Sequence, residues 1–420
     1  MKKKIQIISM LCMMITHSLF SQENFKLMFY NLLNFPLETN VPNRIDYLEQ
    51  TLNTYKPDIF MVCELNNVYG GNAILQVLQD IISEDYRSAV FTSNTSDDEI
   101  GNQNDLQNLI FYDNSKFILE SQHIVQTLYR DFNHYKLKLN SVNQDSNPVY
   151  LNAIVCHLKA SSGSNNENLR LQMVQDLTQY LSTFPSDSYV MLAGDFNVYS
   201  ASEPAFQELI DPNNNIVFVD PVDRMGSWHT NVDYVDVFTQ STRTQSGLGG
   251  STGGLDDRFD FILTSTNMLS NQDLYYVPNS YQAFGNNNNP NCFNNEILDT
   301  TCAGTSFSLE VREALYYFSD HLPVVMELET NETLLSIPTY QTENFQIMGT
   351  NMVDTTLEVQ IHNQSLSTNK LYIFNTLGQV VKSIPLGTSN RLSIDVSGLK
   401  NGIYYIRMSN TNVQPLKFIK

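Results

Sequence analysis

The sequence predicts an α/β domain followed by a small all-β domain. Three observations predict it. Between about Phe25 and Glu329, short apolar runs, each ending on a polar side chain, alternate with segments of helical periodicity. Thr330–Pro338 has no pattern and reads as a linker. From about Glu343 the helical period vanishes, and short alternating segments separated by turns take over. With 420 residues, 42% hydrophobic and 11% aromatic, the chain can bury one large core and one small one.

The first residues belong to neither domain. Lys2, Lys3 and Lys4 precede the apolar stretch Ile5–Ile15, and Ser18-Leu-Phe-Ser21 follows before Gln22. That is a secretory signal peptide, residues 1–21, with cleavage expected after Ser21. No transmembrane segment follows, so the mature chain is expected to be exported, soluble and monomeric. Loss of the three lysines takes the net charge from −20 to −23. A chain this acidic has no basic surface for holding a polyanion, which must instead be met locally by a bound cation and a few Arg or His residues. Export makes a Cys292–Cys302 disulfide chemically reasonable, whereas Cys63 and Cys156 lie in apolar strand-like runs and read as buried thiols.

In the first domain, residues 22–330, Phe25–Asn31 is a strand that delivers Asn31. Pro42 opens a helix marked by Ile45, Leu48, Leu52 and Tyr55. Asp58–Glu64 is a second strand, closed by an acid that is unusual in a core. A second helix carries Ile74, Val77, Leu78 and Ile81. Leu109–Tyr112 and Tyr135–Leu139 are further strands, with Arg130 before the latter. Val149–His157 again ends a strand on a polar group, and Leu169–Leu181 forms the next helix. Tyr189–Ala193 then leads through Gly194 into Asp195 and Asn197, where the glycine is expected to free the backbone. Gly-Asp-x-Asn is also ordinary turn chemistry. Gly247–Gly254 is a Gly/Ser/Thr loop that reads as mobile, Arg258–Leu263 is a strand carrying Asp260, and Asp320-His321 precede a last strand, Val324–Leu328.

Each polar residue alone has an ordinary explanation as a cap, a turn or a surface pair. Polar groups at every strand end are better explained by one shared cleft, because α/β folds build sites where strands emerge into loops. The blocks Tyr30-Asn31, Pro57-Asp-Ile…Glu64, Cys156-His-Leu158, Gly194-Asp-Phe-Asn197, Arg258-Phe-Asp260 and Ser319-Asp-His-Leu-Pro323 resemble, in order, those of the endonuclease/exonuclease/phosphatase superfamily. That resemblance implies a four-layered α/β/β/α sandwich of the deoxyribonuclease kind. It implies Glu64, Asn31 and Asp320 as ligands of Mg²⁺, with Mn²⁺ or Ca²⁺ as alternatives, all hard cations that suit oxygen donors. Asp195 would orient or deprotonate water, and Asn197 would hold a phosphate oxygen. His321, braced by Asp260, would sit at the scissile phosphate, with His157 and Arg130 as further phosphate contacts. The family usually places an acid before the Leu109–Tyr112 strand to support the His157 counterpart; here Asp105, Leu106 and Gln107 stand there.

The substrate implied is nucleic acid, making the protein an extracellular endonuclease. The same site also fits a phospholipid diester or a phosphomonoester, and a non-catalytic surface adhesin is the reading from another class. A membrane enzyme would carry exposed aromatics, for which Tyr275, Tyr276 and Tyr281–Phe284 are the candidates. Residues 331–342 form the linker and 343–420 the terminal β-sandwich. Its Leu371–Gln379 and Val396–Arg407 stretches resemble the sorting domain of type IX secretion, implying the secretion machinery as partner and an extracellular or cell-surface location.

Overall fold

The computed structural model describes residues 23–95, 106–270, 273–335, 345–348, 351–361, 370–385, 390–408 and 415–420. The signal segment, the loop 97–105 and most of the linker lie outside the described residues. The chain divides into two compact units, the break falling between residues 336 and 337.

The first unit runs β1 (Glu23–Phe35), α1 (Arg44–Tyr55), β2 (Ile59–Leu65), α2 (Val68–Ile81), β3 (Tyr86–Ser88), β4 (Gln107–Asp113), β5 (Phe117–Val125), β6 (Phe132–Leu139) and β7 (Tyr150–His157). It continues through α3 (Ser164–Leu181), β8 (Tyr189–Asp195), α4 (Pro204–Leu209), β9 (Phe218–Val219), β10 (Asp260–Ser265), β11 (Leu274–Tyr276), β12 (Gln282–Ala283), α5 (Leu309–Phe318) and β13 (Val324–Thr330). One sheet has the order β11-β13-β1-β2-β4-β3, with β12 also on β13; the other is β5-β6-β7-β8-β10-β9. Strands β1 and β2 face β7, β8 and β10 across a shared apolar layer. Helices α1, α2 and α5 cover the first sheet, and α3 and α4 cover the second through their own cluster around Met173, Leu177, Phe206 and Phe261. The result is the four-layered α/β/β/α sandwich. Strands buried on both faces are apolar throughout, which is why β2 and β8 read as continuous runs.

Each sheet contains one parallel pair, β1 with β2 and β7 with β8, flanked by antiparallel neighbours. A helix returns the chain between the members of each pair, so both pairs end at one edge. That edge carries the site.

Local details depart from expectation. The first helix starts at Arg44 after Asn43 turns with φ 53°, not at Pro42. Strand β5 and helices α4 and α5 give no apolar signal strong enough to read; α5 is anchored by its Ser308 cap and by packing of Leu315 and Phe318. Gly194 is required for a different reason than turn freedom. A Cβ there would lie 2.4 Å from Cys156 Sγ and 2.5 Å from its carbonyl oxygen, so the glycine lets β8 approach β7. Cys292 and Cys302 are bonded, and Cys63 and Cys156 are buried free thiols.

The second unit comprises β14 (Phe345–Ile347), β15 (Thr356–Ile361), β16 (Lys370–Asn375), β17 (Val380–Pro385), β18 (Arg391–Asp395), β19 (Ile403–Met408) and β20 (Leu416–Ile419). A three-stranded sheet (β14-β15-β18) and a four-stranded sheet (β17-β16-β19-β20) enclose a core of Phe345, Leu357, Val359, Leu371, Ile373 and Phe418, among others. The turn after β16 is closed by Asn375 Oδ1, which accepts from the backbone N–H groups of Leu377 and Gln379, both at 3.0 Å.

Candidate active site

The strand ends are shaped before any side chain is considered. Beyond Asn31, Leu33 and Asn34 take left-handed φ values of 46° and 50°, and the β1–β2 register shifts between Asn31 and Phe35. Glu64 has φ 55°, and the β2–β4 register shifts around it. Such irregularities re-aim side chains at a cost of about 1 kcal/mol or more each, and they persist only where the surroundings enforce them. Buried Arg44 braces the first of these, donating to the carbonyls of Leu32, Leu33 and Phe318 at 2.5–2.9 Å, and Glu64 Oε2 accepts from the Asn34 backbone N–H at 3.0 Å. Ser319 Oγ donates to the Asn31 carbonyl at 2.8 Å, tying the Asp320-His321 segment to the end of β1. On the other sheet no bulge is needed. His157 pairs with Asp195 in parallel register, and Asp195 pairs with Asp260 in antiparallel register.

These ends converge on one carboxylate oxygen. Asp195 Oδ2 accepts from Asn31 Nδ2 at 3.0 Å, and lies 3.6 Å from His157 Nε2 and 3.8 Å from His321 Nε2. The Asn31 amide also donates to Glu64 Oε1 at 3.0 Å. A carboxylate only accepts, so His321 Nδ1 donates to Asp260 Oδ2, at 2.7 Å, and Nε2 is left facing the cleft. Asn197, at φ 52°, donates its backbone N–H to Asp195 Oδ1 at 3.1 Å and its side-chain amide to the Leu158 carbonyl at 3.4 Å. Asn31, Glu64, His157, Asp195, Asn197, Asp260, Asp320 and His321 are thus gathered at one edge of the sandwich.

Crowding separates their protonation states. Burial first, then the Asp260 and Glu64 charges, pushes Asp195 up to about 7 against the opposing pull of His321. Burial and then Asp320 raise Glu64. For His321, burial alone lowers the value, but Asp260 and Asp320 overcome it and hold the ring well above its usual range. His157 moves the other way: burial, then Arg130, lowers it well below. Its Nδ1 is buried without a hydrogen-bond partner among the described residues. Gln107, one of the residues standing where an acidic support was sought, instead accepts from the Asn94 backbone N–H at 2.6 Å.

Arg130 is buried, and its guanidinium donates to the carbonyls of His157 (3.3 Å) and Leu158 (2.8 Å), bracing the end of β7. The Gly247–Gly254 loop, read as mobile, is tied down. Arg243 donates to the Leu248 and Gly249 carbonyls, and the Ser251 N–H donates to Asp320 Oδ2 at 2.6 Å. Gly250 has φ 69°, and a Cβ there would lie 2.5 Å from the Asp320 carboxyl carbon, so only glycine lets the loop close over Asp320. Gln240, which no motif marks, reaches both His321 and Asp320 from the segment before this loop.

The donor set fits a hard divalent cation. Asp320 Oδ1 and Asp260 Oδ1 are buried with no hydrogen-bond partner among the described residues. Ligand atoms of Glu64, His157 and Asp195 lie within 4.8 Å of one another, as do those of Asp195, Asp260 and His321. Uncompensated carboxylate oxygens at this density are costly unless a cation meets them. Asn31 currently turns its amide nitrogen to the carboxylates, while its Oδ1 accepts from the Leu33 N–H at 3.0 Å.

Comparison with known proteins adds two findings. Residues 351–420 match the profile described as the secretion system C-terminal sorting domain. The terminal unit is therefore a sorting domain of the type IX kind, and the protein is directed outside the cell, secreted or attached at its surface. Among the described residues no helix is long and apolar enough to cross a membrane. Solved structures of similar shape include D. rerio TDP2 complexed with single-strand DNA product, 16% identical, TM-score 0.46, covering 73% of this chain and 100% of that one. They also include a Bacteroides thetaiotaomicron endonuclease/exonuclease/phosphatase family protein, 14% identical, TM-score 0.45, covering 74% and 98%. A third is the Bacteroides thetaiotaomicron mannosyl-6-phosphatase, 15% identical, TM-score 0.44, covering 72% and 99%. No curated protein matches the chain by sequence.

Proposed function

We propose that the protein is a secreted, divalent-metal-dependent phosphoric-ester hydrolase, and specifically an extracellular endonuclease that cleaves nucleic-acid phosphodiester bonds. The observation that carries this reading is the convergence of Asn31, His157 and His321 on Asp195 Oδ2. A carboxylate held up at about 7 is poised to take a proton from water near neutral pH. Asp195 accepts that proton as the water oxygen attacks phosphorus; the ester P–O bond breaks with its electron pair going to the leaving oxygen, which takes a proton from solvent and departs as the alcohol. His321, kept charged by Asp260 and Asp320, and Asn197 meet the negative phosphoryl oxygens. His157, held neutral, donates or accepts without adding charge. Glu64, Asp320 and Asn31, with its amide turned, would hold Mg²⁺, which when bound neutralises the anionic phosphate.

The exposed aromatics that a lipid substrate calls for are not found at the candidate positions. Tyr276, Tyr281 and Phe284 are buried in the core and Tyr275 is half-buried; the Tyr281 hydroxyl accepts from Arg258 at 3.1 Å, at the Arg258–Asp220 pair below β10. The test is to offer the purified protein supercoiled plasmid, RNA, sphingomyelin and inositol phosphates in parallel, with Mg²⁺ or with EDTA. Plasmid nicking that EDTA abolishes is the expected result. Turnover of lipid alone would transfer the assignment to a phospholipid diester, and full turnover in EDTA would sink the metal assignment.

A further inference from the structure

His321 has one ring nitrogen to offer a substrate, because Nδ1 is committed to Asp260. Three polar side-chain atoms face that nitrogen: Asp195 Oδ2 at 3.8 Å, Asn31 Nδ2 at 3.5 Å and the amide nitrogen of Gln240 at 2.6 Å. The same end of the amide lies 3.3 Å from Asp320 Oδ2. Contact with a phosphoryl oxygen requires Nε2 to carry a proton. A donating His321 and an accepting Asp320 then ask opposite things of one amide end, and neither orientation of the amide satisfies both.

The Gln240 backbone cannot relieve this. Its N–H donates to the Asp257 carbonyl at 3.1 Å, and its carbonyl accepts from the Asp256 and Asp257 N–H groups at 3.0 Å. On its other side it pairs with His321, next to the Leu322 N–H bond to the Thr239 carbonyl. Only the side chain is free to turn. A phosphoryl oxygen seated between His321 and Gln240 resolves the conflict, accepting from Nε2–H of the one and from the amide N–H of the other. A lysine or arginine here would be drawn onto Glu64, Asp195, Asp260 or Asp320, whereas a neutral amide donates without settling on a carboxylate.

We infer that Gln240 is a phosphate-binding residue of this site, exchanging its contact with His321 for the phosphoryl oxygen of an incoming ester. The inference rests on the phosphoesterase reading above. Its test compares wild type with Gln240→Ala and the near-isosteric Gln240→Glu in the full chain, each checked by thermal melting. Calorimetry measures inorganic phosphate binding to the Mg²⁺-loaded proteins, and steady-state kinetics use bis(p-nitrophenyl) phosphate. Removing one donor to an anion is expected to weaken phosphate binding roughly 10-fold or more. Gln240→Glu, an acceptor of the same shape, should bind phosphate less well than Gln240→Ala at an unchanged melting temperature. Wild-type phosphate affinity in both variants would overturn the role of Gln240. A wild type that binds phosphate but cleaves no ester would instead overturn the hydrolase reading, with the calorimetric comparison still deciding Gln240.

Discussion

The first unit contains the same construction twice. In β1–α1–β2 and again in β7–α3–β8, a parallel pair joined through a helix is flanked by antiparallel strands and ends at the site. The two halves finish differently. The first ends in bulges, with Leu33, Asn34 and Glu64 in the left-handed region, and presents Asn31 and a Glu64 whose side chain remains 14% exposed. The second ends in unbroken register and presents His157 and Asp195, whose side chains are each 3% exposed. The bent edge leaves the Glu64 carboxylate partly open to an ion and solvent, with Asn31 buried behind it. A straight edge buries groups whose proton affinity must be tuned. The scaffold is shared, and the terminal residues divide the chemistry between ion binding and proton transfer.

That division is best broken at Asp195. Asp195→Ala should lower kcat by about 10²–10⁴-fold, the usual contribution of a positioned acid–base group, and excess metal should not restore it. Glu64→Gln should lose about 10- to 100-fold at low Mg²⁺ through weaker binding, and should recover much of that as Mg²⁺ is raised. Metal titrations of kcat measure both. Rescue of Asp195→Ala by metal, or failure to rescue Glu64→Gln, would erase the distinction between the halves.

A smaller effect separates shape from chemistry within the first half. Arg44→Met keeps an apolar stem beside Phe35 and Phe318 but abandons the carbonyls of Leu32, Leu33 and Phe318. Buried unsatisfied acceptors cost about 1–3 kcal/mol each, with relaxation recovering part, so a loss of about 3 kcal/mol is expected in denaturant unfolding. The corresponding brace of the second half is Arg130, so Arg130→Met should disturb the end of β7 without altering the Mg²⁺ titration.

The sequence made the strand ends legible because burial on both faces turns β2, β7 and β8 into apolar runs, and a terminal acid or imidazole stands out against them. The repetition itself left no trace as a repeat, since the two halves share topology and not residues. Gln240, Arg44 and Arg243 were illegible for a related reason. Each acts through tertiary approach: Gln240 by lying across from His321, Arg44 by reaching carbonyls of β1 and α5, Arg243 by holding a glycine loop over Asp320. Residue type and local spacing carry no record of such meetings. Gly194 shows the converse, a residue noticed for its turn propensity that is needed because Cys156 is close.

The smallest effect expected is on stability, and its sign follows from the opposed protonation states. Asp195 has a folded-state value of about 7, above its unfolded one, so its contribution is present at low pH and is lost as pH rises from about 4 towards 7. His157 is depressed, so its contribution is present above the unfolded histidine range and is lost as pH falls; below about 6.5 the two oppose each other. His321 is raised, so its contribution is lost as pH climbs from about 6.5 through its folded value, with nothing from His157 to offset it. Metal-free protein should therefore melt at progressively lower temperature from pH 7 to pH 9. Saturating Mg²⁺ should raise the melting temperature and flatten this slope, because a cation held by Glu64 and Asp320 binds only the folded chain and favours the charged forms of the carboxylates around it. A metal-free profile that rises over that interval would mean His321 is not held charged by Asp260 and Asp320, and its role as a charged contact to the phosphoryl oxygens would have to be reassigned.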